Sequence, residues 1–351
     1  MKLPTLLRTG AAALALATAA GLATPAHAAG ISLVETGSSL LYPLFNLWVA
    51  SYSTAHPDVS ITTTSTGSGA GISQSIQGLV QIGASDAYLS DAMVKAHPEM
   101  LNIPLGISSQ AINYNLPGIT HLHLTGPILA GIYEGKITNW NDPAIAAANP
   151  GVTLPNHVII PIHRIDGSGD TFIFSQYLAF SDAGWSSTEH YGTSISWPAV
   201  AGGIGANGNP GMVTALKNNP YGIAYIGISF ADQVKAAKLG QAELLNKAGN
   251  YVLPTPETIS AAAASVASTT PADERISMVF APGANAYPIV NYEYAIVKTS
   301  QPDAATAKAI RKFLSWCVQG GNVPAYLDKV HFMALPAAVK TLSVTQIDKI
   351  K

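Results

Sequence analysis

A loop of small residues, Thr36-Gly37-Ser38-Ser39, separates a strand-like run, Ile31 to Val34, from a helix-like run, Leu41 to Tyr52. The same order of strand, small-residue loop and amphipathic helix recurs at Thr66-Gly67-Ser68-Gly69-Ala70-Gly71 and at Asp166-Gly167-Ser168-Gly169-Asp170. Such units repeated along a chain are typical of proteins in which helices flank a sheet. The sequence therefore predicts the α/β class.

Other segments of the chain support this class. Further strands are predicted over Val59 to Thr64, Val158 to Ile162, Tyr221 to Ile228 and Pro288 to Val297. Further helices are predicted over Ile72 to Val80, Phe172 to Leu178 and Ala304 to Val318. Two tracts, Gly202 to Gly211 and Ser260 to Thr270, are predicted to be loops or a weak surface helix. The single cysteine, Cys317, falls on the apolar stripe of the last helix and is expected to be a small core residue.

Composition excludes several classes of protein. Of the 351 residues, 48% are hydrophobic and 11% are charged, which indicates a folded chain and not a disordered one. Nucleic-acid binding requires clustered basic side chains, whereas this chain has four arginines and a formal net charge of −2. One cysteine allows no internal disulfide. We therefore expect a globular protein that does not bind nucleic acid.

Residues 1–28 have the pattern of a secretory signal peptide. Lys2 and Arg8 precede an apolar run, Ala11 to Leu22, and the segment ends in Ala26-His27-Ala28. A charged start, a short apolar centre and a small-x-small ending predict cleavage after Ala28. No cysteine follows that position, so no lipid anchor is expected there, and the mature protein is expected to be soluble in the periplasm or outside the cell.

The three small-residue loops suit the binding of an anion. Each would begin a helix, where unpaired N–H groups and the helix dipole favour negative charge and where serine hydroxyls add donors. Ordinary helix capping uses the same residues, so one loop alone would indicate only a cap. Three such loops together favour a shared anion site.

Two charged residues refine this interpretation. Arg164 precedes the third loop, and a guanidinium can donate two hydrogen bonds to an oxyanion. Asp86 lies in Gly83-Ala84-Ser85-Asp86-Ala87, and its carboxylate could accept a hydrogen bond from an oxyanion that retains a proton at neutral pH, as phosphate does and sulfate does not. Asp86 would then act as a specificity filter. The alternative is an ordinary structural Arg–Asp pair.

Other kinds of site fit the sequence less well. The glycine spacings match neither a dinucleotide-binding loop nor a P-loop, and Ser68 lacks the flanking glycines of a nucleophile elbow. His121 and His123 could share one face of a strand, but no nearby carboxylate or cysteine offers an obvious third metal ligand. We expect no metal and no cofactor.

Taken together, the motifs resemble those of one known family. Thr36 to Pro43, Thr66 to Gly71, Gly83 to Asp86, Gly131 to Trp140 and Arg164 to Gly169 follow in the order of the periplasmic phosphate-binding proteins of bacterial phosphate-specific ABC transporters. The resemblance covers nearly the whole mature chain. It implies a two-lobed periplasmic-binding-protein fold of the type II kind, with each lobe a mixed sheet flanked by helices.

The resemblance also implies how the lobes are divided. Two segments, near Asn115 to Gly118 and near Tyr287 to Asn291, would cross between them. The first lobe would contain residues 29–114 plus 290–351, and the second residues 115–289. Phosphate would be held in the cleft and enclosed when the lobes close about a hinge.

Site residues are implied position by position. Hydroxyl or amide donors to phosphate would be Ser39, Leu40, Ser68, Ser168 and Gly169, and Arg164 would donate from its guanidinium. Asp86 would accept the phosphate proton, and Asp166 would orient Arg164 or take part in reading the proton. Asp170 stands where many members have threonine, so its backbone N–H could still bind while its side chain points away. If the side chain points inward, the preference for a more protonated phosphate would rise.

The implied function is high-affinity binding of inorganic phosphate and its delivery to an inner-membrane ABC permease by a protein that is a monomer and not an enzyme. A secreted phosphate-ester hydrolase and a receptor for another oxyanion are the alternatives. Arsenate has the same shape and protonation as phosphate, so the sequence does not separate the two.

Overall fold

The computed structural model describes residue 1 and residues 30–351. The predicted signal peptide, residues 1–28, therefore lies almost wholly outside the described residues and stays a prediction. In the part of the chain that the structure describes, no helix combines the length and the apolar character that a bilayer crossing requires.

Strands and helices alternate along residues 30–351. The strands are β1 Ile31–Gly37, β2 Val59–Ser65, β3 Ile82–Ser85, β4 Met100–Tyr114, β5 His123–Leu124, β6 Ile160–Arg164, β7 Ile204–Ala206, β8 Gly222–Gly227, β9 Gly240–Gln241, β10 Glu243–Leu245, β11 Tyr251–Val252 and β12 Val290–Lys298. The helices are α1 Tyr42–Ala55, α2 Ser68–Gln77, α3 Asp91–Ala96, α4 Gly126–Tyr133, α5 Pro143–Ala148, α6 Gly169–Ser181, α7 Ala183–Thr188, α8 Gly208–Asn218, α9 Ala231–Ala236, α10 Pro256–Val266, α11 Ala304–Val318, α12 Pro324–Leu327 and α13 Ala337–Ile347. The predicted α/β class is confirmed.

The main sheet has two halves that share the long strand β4. In the first half the strand order is β2-β1-β3-β12-β4, and in the second half it is β4-β8-β6-β7, with β9 also paired to β4. Residues 100–109 of β4 pair antiparallel with β12, whereas residues 110–114 pair antiparallel with β8. A separate small sheet has the order β11-β10-β5. Both halves of the main sheet mix parallel and antiparallel pairs, as expected for the fold class.

The change of pairing partner lies between Ser109 and Gln110, before the first predicted crossing near Asn115 to Gly118. The second predicted crossing, near Tyr287 to Asn291, includes the start of β12 at Val290. The lobe boundaries themselves, 29–114 plus 290–351 and 115–289, stay predictions.

The core of the first half forms where α1 meets α11. Buried side chains of α1 lie on one face, and Tyr52 contacts Phe313 edge to face with ring centroids 5.0 Å apart. The Trp48 indole Nε1 donates to the carbonyl of Gly321 at 2.9 Å. Helix α11 has the predicted bounds, and Cys317 is fully buried in its apolar face, so both predictions are confirmed. An aspartate, Asp303, caps this helix by accepting from the Thr306 amide at 2.8 Å.

One predicted loop is partly wrong. The tract Gly202 to Gly211 contains β7 and the first residues of α8. Helix α8 forms because Met212, Val213 and Leu216 bury one of its faces, and this tertiary packing outweighs the poor helix propensity of glycine. The tract Ser260 to Thr270 contains the larger part of α10, in agreement with the helical alternative.

Candidate anion-binding site

Ends of parallel strands bring the three small-residue loops together. The loop after β1 leads into α1, while α2 begins at Ser68 and α6 begins at Gly169, with Ser168 as its cap. The Gly69 amide donates to the carbonyl of Gly167 at 2.8 Å, so the second and third loops are in direct contact. The predicted convergence of these loops is therefore observed in the structure.

Asp86 lies at the centre of the cluster, directly after β3, and its carboxyl is buried. Its Oδ1 accepts from the Ser38 hydroxyl, and its amide donates to Ser68 Oγ at 3.2 Å. Burial, reinforced by the charge of Asp170, raises the pKa of Asp86 from 3.8 to about 7.

The third loop approaches Asp86 closely at Gly169. A Cβ placed on Gly169 would lie 2.4 Å from Asp86 Oδ2 and 2.5 Å from Ser68 Oγ. The Ser168 hydroxyl accepts from the Thr171 amide at 3.2 Å, and the Ser168 amide donates to the carbonyl of Thr193 at 2.7 Å. Ser168 thus acts as a helix cap in this arrangement, and glycine at position 169 allows the α6 terminus to reach the carboxyl.

Arg164 is the last residue of β6, and its guanidinium is buried. Its Nε donates to Asp166 Oδ1 at 2.7 Å, its Nη2 donates to Asp166 Oδ2, and its Nη1 donates to Asp170 Oδ2 at 2.6 Å. Burial alone would raise the pKa of Asp166, but the bidentate bond to Arg164 holds it below its ordinary value. The Asp166 carboxylate thus holds the Arg164 guanidinium in place, while its role toward phosphate stays a prediction.

Asp170 points into the cluster, which decides between the two orientations considered from the sequence. Besides Arg164, its carboxylate accepts from Asn209 Nδ2 at 2.7 Å and from Gln110 Nε2 at 3.1 Å. The side chain is 1% exposed. Burial raises the pKa of Asp170 although the nearby guanidinium opposes this effect.

Ser39 and Leu40 are covered by residues of the second half of the sheet. The Asn209 amide and Nδ2 donate to Ser39 Oγ at 3.1 and 3.0 Å. The Ser229 hydroxyl donates to the carbonyl of Leu40 at 2.8 Å, and the Leu40 amide donates to Ser38 Oγ at 3.1 Å. The two halves are thus closed over the site, and every predicted site residue except Asp166 is buried.

Four polar residues of the cluster were not predicted from the sequence: Ser38, Gln110, Asn209 and Glu293. Ser38 lies inside the first small-residue loop, so its position could have predicted it as a site residue. Glu293 is a charged residue within a strand otherwise expected to be buried, which is a recognisable signal. Gln110 and Asn209 carried no signal, because only the tertiary fold brings them to Asp170.

The expectation that no carboxylate lies near His121 and His123 is wrong. Glu243 Oε2 lies 3.3 Å from His123 Nε2, and Glu243 Oε1 lies 3.8 Å from His121 Nδ1, because β10 pairs with β5 in parallel. Over residue 1 and residues 30–351, however, no group of three or more His, Cys, Asp or Glu side chains could hold a metal ion.

Two sheet halves that share strand β4 and enclose a buried polar site are typical of the two-lobed periplasmic-binding-protein fold. A family model described as a PBP superfamily domain matches residues 23–320, which is most of the chain. The fold also resembles the phosphate-bound structure of a high-affinity periplasmic phosphate-binding protein, PfluDING. In that comparison the TM-score is 0.71 at 22% identity, with 89% of this chain and 92% of the other covered.

Sequence comparison narrows the class to one family. The phosphate-binding protein PstS of Xylella fastidiosa, strain Temecula1, is 35% identical over 307 residues, covering 87% of this chain and 82% of the relative. The protein of the same name from Methanocaldococcus jannaschii is 34% identical over 343 residues, covering 92% and 87%. The chain belongs to the PstS phosphate-binding family of the PBP superfamily, so the resemblance drawn from the motifs is confirmed.

Proposed function

We propose that this protein binds inorganic phosphate between its two lobes in the periplasm and delivers it to an inner-membrane ABC permease. The observation that carries the proposal is Asp86, a buried carboxyl set among serine hydroxyls, a helix N-terminus and Arg164. Such a group suits an oxyanion that can donate a hydrogen bond, and it disfavours one that cannot. The printed names of the relatives support the same ligand.

The proposed roles of the site residues follow the family resemblance. In the phosphate-bound form, Ser39, Leu40, Ser68, Ser168 and Gly169 would donate hydroxyl or amide hydrogen bonds. Arg164 would remain oriented by Asp166 and donate to an equatorial oxygen. The Ser168 amide now donates to the Thr193 carbonyl and the Leu40 amide to Ser38 Oγ, so binding through these amides would exchange internal hydrogen bonds for bonds to the ligand.

A binding role is also favoured over hydrolysis of phosphate esters. Ser39, Ser68, Asp86 and Ser168 are at most 2% exposed, so an ester held there would have to place its alcohol part in the same enclosed space. Incubation with a generic phosphate ester, with and without divalent metal, should give no turnover. Repeated turnover would contradict the proposal that the protein only binds.

Calorimetric titration tests the proposed ligand. Protein freed of phosphate by unfolding and refolding should bind one phosphate per chain, and excess sulfate should not compete. Asp86→Asn removes the carboxylate acceptor, so the ratio of phosphate to sulfate affinity should fall by at least about tenfold, or about 1.4 kcal/mol.

The matched control for this titration is Asp303→Asn. It removes the same charge at the exposed cap of α11, where asparagine also caps well. It should leave both affinities unchanged. Absence of phosphate binding, or equal binding of sulfate by the unaltered protein, would overturn the assigned ligand.

A further inference from the structure

The hydroxyl of Ser39 is held by one residue from the other half of the sheet. Ser39 follows β1, in the first half, whereas Asn209 is the second residue of α8, which packs on β6, β7 and β8 in the second half. The Asn209 backbone N and side-chain Nδ2 lie 3.1 and 3.0 Å from Ser39 Oγ. Both residues are buried, so these contacts are shielded from solvent.

A backbone group fixes the orientation of the Asn209 side-chain amide. The N–H of Gly227 can only donate, and it lies 2.8 Å from Asn209 Oδ1, so that atom is the carbonyl oxygen. The other end of the amide is then Nδ2, whose two hydrogens reach Ser39 Oγ and, at 2.7 Å, Asp170 Oδ2. The Asn209 backbone N–H is free to donate outward, because an amide in the first turn of a helix has no partner within that helix. Ser39 Oγ therefore faces two groups that only donate.

These two contacts leave the Ser39 hydroxyl with a single role. A hydroxyl oxygen has two lone pairs and one hydrogen, and Asn209 occupies both lone pairs. The hydroxyl can then act only as a donor. Within residues 30–351 its hydrogen finds no acceptor, although the side chain is only 2% exposed. A buried donor without a protein partner is costly, so the site favours a ligand that supplies an acceptor at this point.

We infer that Asn209 is a positioning residue, which commits the Ser39 hydroxyl to donate a hydrogen bond to the bound anion when the two halves close. The inference rests on the proposed function and concerns how closure prepares the site. In an open form Ser39 would lose both N–H contacts, and its hydroxyl could rotate between donor and acceptor roles. Closure thus converts an adaptable hydroxyl into a fixed donor, and an anion that accepts its hydrogen bond favours the closed form.

Asn209 also bonds to Asp170 and Gly227, so a merely structural role has to be separated from the proposed one. Gln110 offers the comparison, because its Nε2 donates to Asp170 Oδ1 at 3.1 Å and to the Asp170 carbonyl at 3.0 Å. In the described part of the chain the Gln110 side chain makes no bond to Ser39, and it is buried and uncharged like that of Asn209. Loss of either side chain removes a donor to Asp170, but only loss of Asn209 releases the Ser39 hydroxyl.

A double-mutant cycle, measured by calorimetric titration with inorganic phosphate, tests the inference. Asn209→Ala should weaken phosphate affinity by at least about tenfold in the otherwise unaltered protein, because the hydroxyl is no longer committed to the anion. In protein that already carries Ser39→Ala, the same substitution should cost no more than about threefold. Gln110→Ala should cost the same factor in both backgrounds, to within about twofold. Urea unfolding of the phosphate-free proteins checks that each variant is folded.

The outcomes separate this inference from the proposed function. Equal factors for Asn209→Ala in the two backgrounds would mean that Asn209 acts independently of Ser39, which overturns the inference and leaves phosphate binding intact. Absence of phosphate binding by the unaltered protein rejects the proposed function and the inference with it.

Neutron diffraction from crystals of the unaltered protein with phosphate provides a test that needs no variant. The Ser39 hydroxyl hydrogen should point to a phosphate oxygen, while hydrogens of the Asn209 amide groups point to Ser39 Oγ. A Ser39 hydrogen directed at Asn209, or at any other protein acceptor, would overturn the inference even if Asn209→Ala does not fold.

Discussion

The close approach of Gly169 to Asp86 requires a residue without a side chain at position 169. The terminus of α6 reaches the carboxyl only because position 169 has no Cβ, and an added methyl group would overlap both Asp86 and Ser68. The residue is not required for an unusual backbone angle, since its φ is not in the left-handed region. It is required for a close approach between two loops.

Gly169→Ala is therefore expected to weaken phosphate binding by at least tenfold, about 1.4 kcal/mol, because the lobes can no longer meet at this point. The fold should survive, since alanine favours a helix more than glycine does. Calorimetric titration measures the loss. Gly211→Ala, in α8, is the matched control, because a Cβ there makes only ordinary contacts with Ala206 of β7, at 3.7 Å. Equal affinities for the two variants would contradict the role of Gly169 in closure.

The polar and charged residues that lie in recognisable motifs were the most predictable part of the site. Ser39, Ser68, Asp86 and Arg164 stand in short motifs, so their meeting could be expected from the sequence alone. The direction of Asp170 could not, because it depends on donors from α8 and β4 that are distant in the chain. A charged residue in an otherwise apolar strand, such as Glu293 in β12, indicates a buried polar site and could have been predicted to belong to it.

Strand β1 contains a buried acid that lies away from the anion site. Glu35 of β1 is 1% exposed, and its carboxyl accepts from the Thr63 hydroxyl of β2. Burial raises the pKa of Glu35 from 4.5 to about 8. The folded protein therefore holds a proton that the unfolded chain releases between these two values.

The buried carboxyl of Glu35 makes the stability of the folded protein depend on pH. As pH rises from 4.5 to 8, this acid lowers the free energy of unfolding by up to about 1.4 kcal/mol per pH unit. Glu35→Gln carries no such penalty, so its stability relative to the unaltered protein should increase over the same range. Urea unfolding of phosphate-free protein at several pH values measures the difference. Glu257→Gln, at an exposed acid of α10 whose pKa is lowered, should show no such increase.

Helices and strands whose apolar residues recur at a regular spacing could be predicted from the sequence, whereas the central strand β4 could not. Helix α11 repeats apolar residues at helical spacing, and its bounds were predicted correctly. Strand β4 is buried along its whole length, including polar residues such as Asn102 and Gln110. A strand covered on both faces shows no alternation, so the pattern that identifies strands is missing.

Closure of the whole molecule depends on bonds that do not touch the proposed ligand. The hydroxyl of Ser229, in the predicted second lobe, donates to the carbonyl of Leu40 in the first at 2.8 Å. Such a bond exists only when the lobes are closed, so it favours the closed state.

Ser229→Ala is expected to weaken phosphate binding about two- to tenfold, since a hydrogen bond of this kind contributes about 0.5–1.5 kcal/mol. Small-angle scattering of the unaltered protein should show compaction when phosphate is added, and the variant should need more phosphate for the same change. Thr214→Ala removes a hydroxyl that bonds only within α8, at 2.9 Å to the carbonyl of Pro210, and should change neither measurement. No compaction in any of the proteins would contradict closure by hinge motion.

Burial of the site also has a kinetic consequence. A ligand enclosed by Ser39, Ser68, Asp86 and Ser168 cannot leave until the lobes separate, so its dissociation rate cannot exceed the rate of opening. Residence time would then depend on the contacts that hold the two halves closed, such as the bond between Ser229 and Leu40, as well as on the bonds to the anion. Release to the proposed permease would accordingly require the lobes to open, and the free energy of opening would become part of the energy cost of uptake.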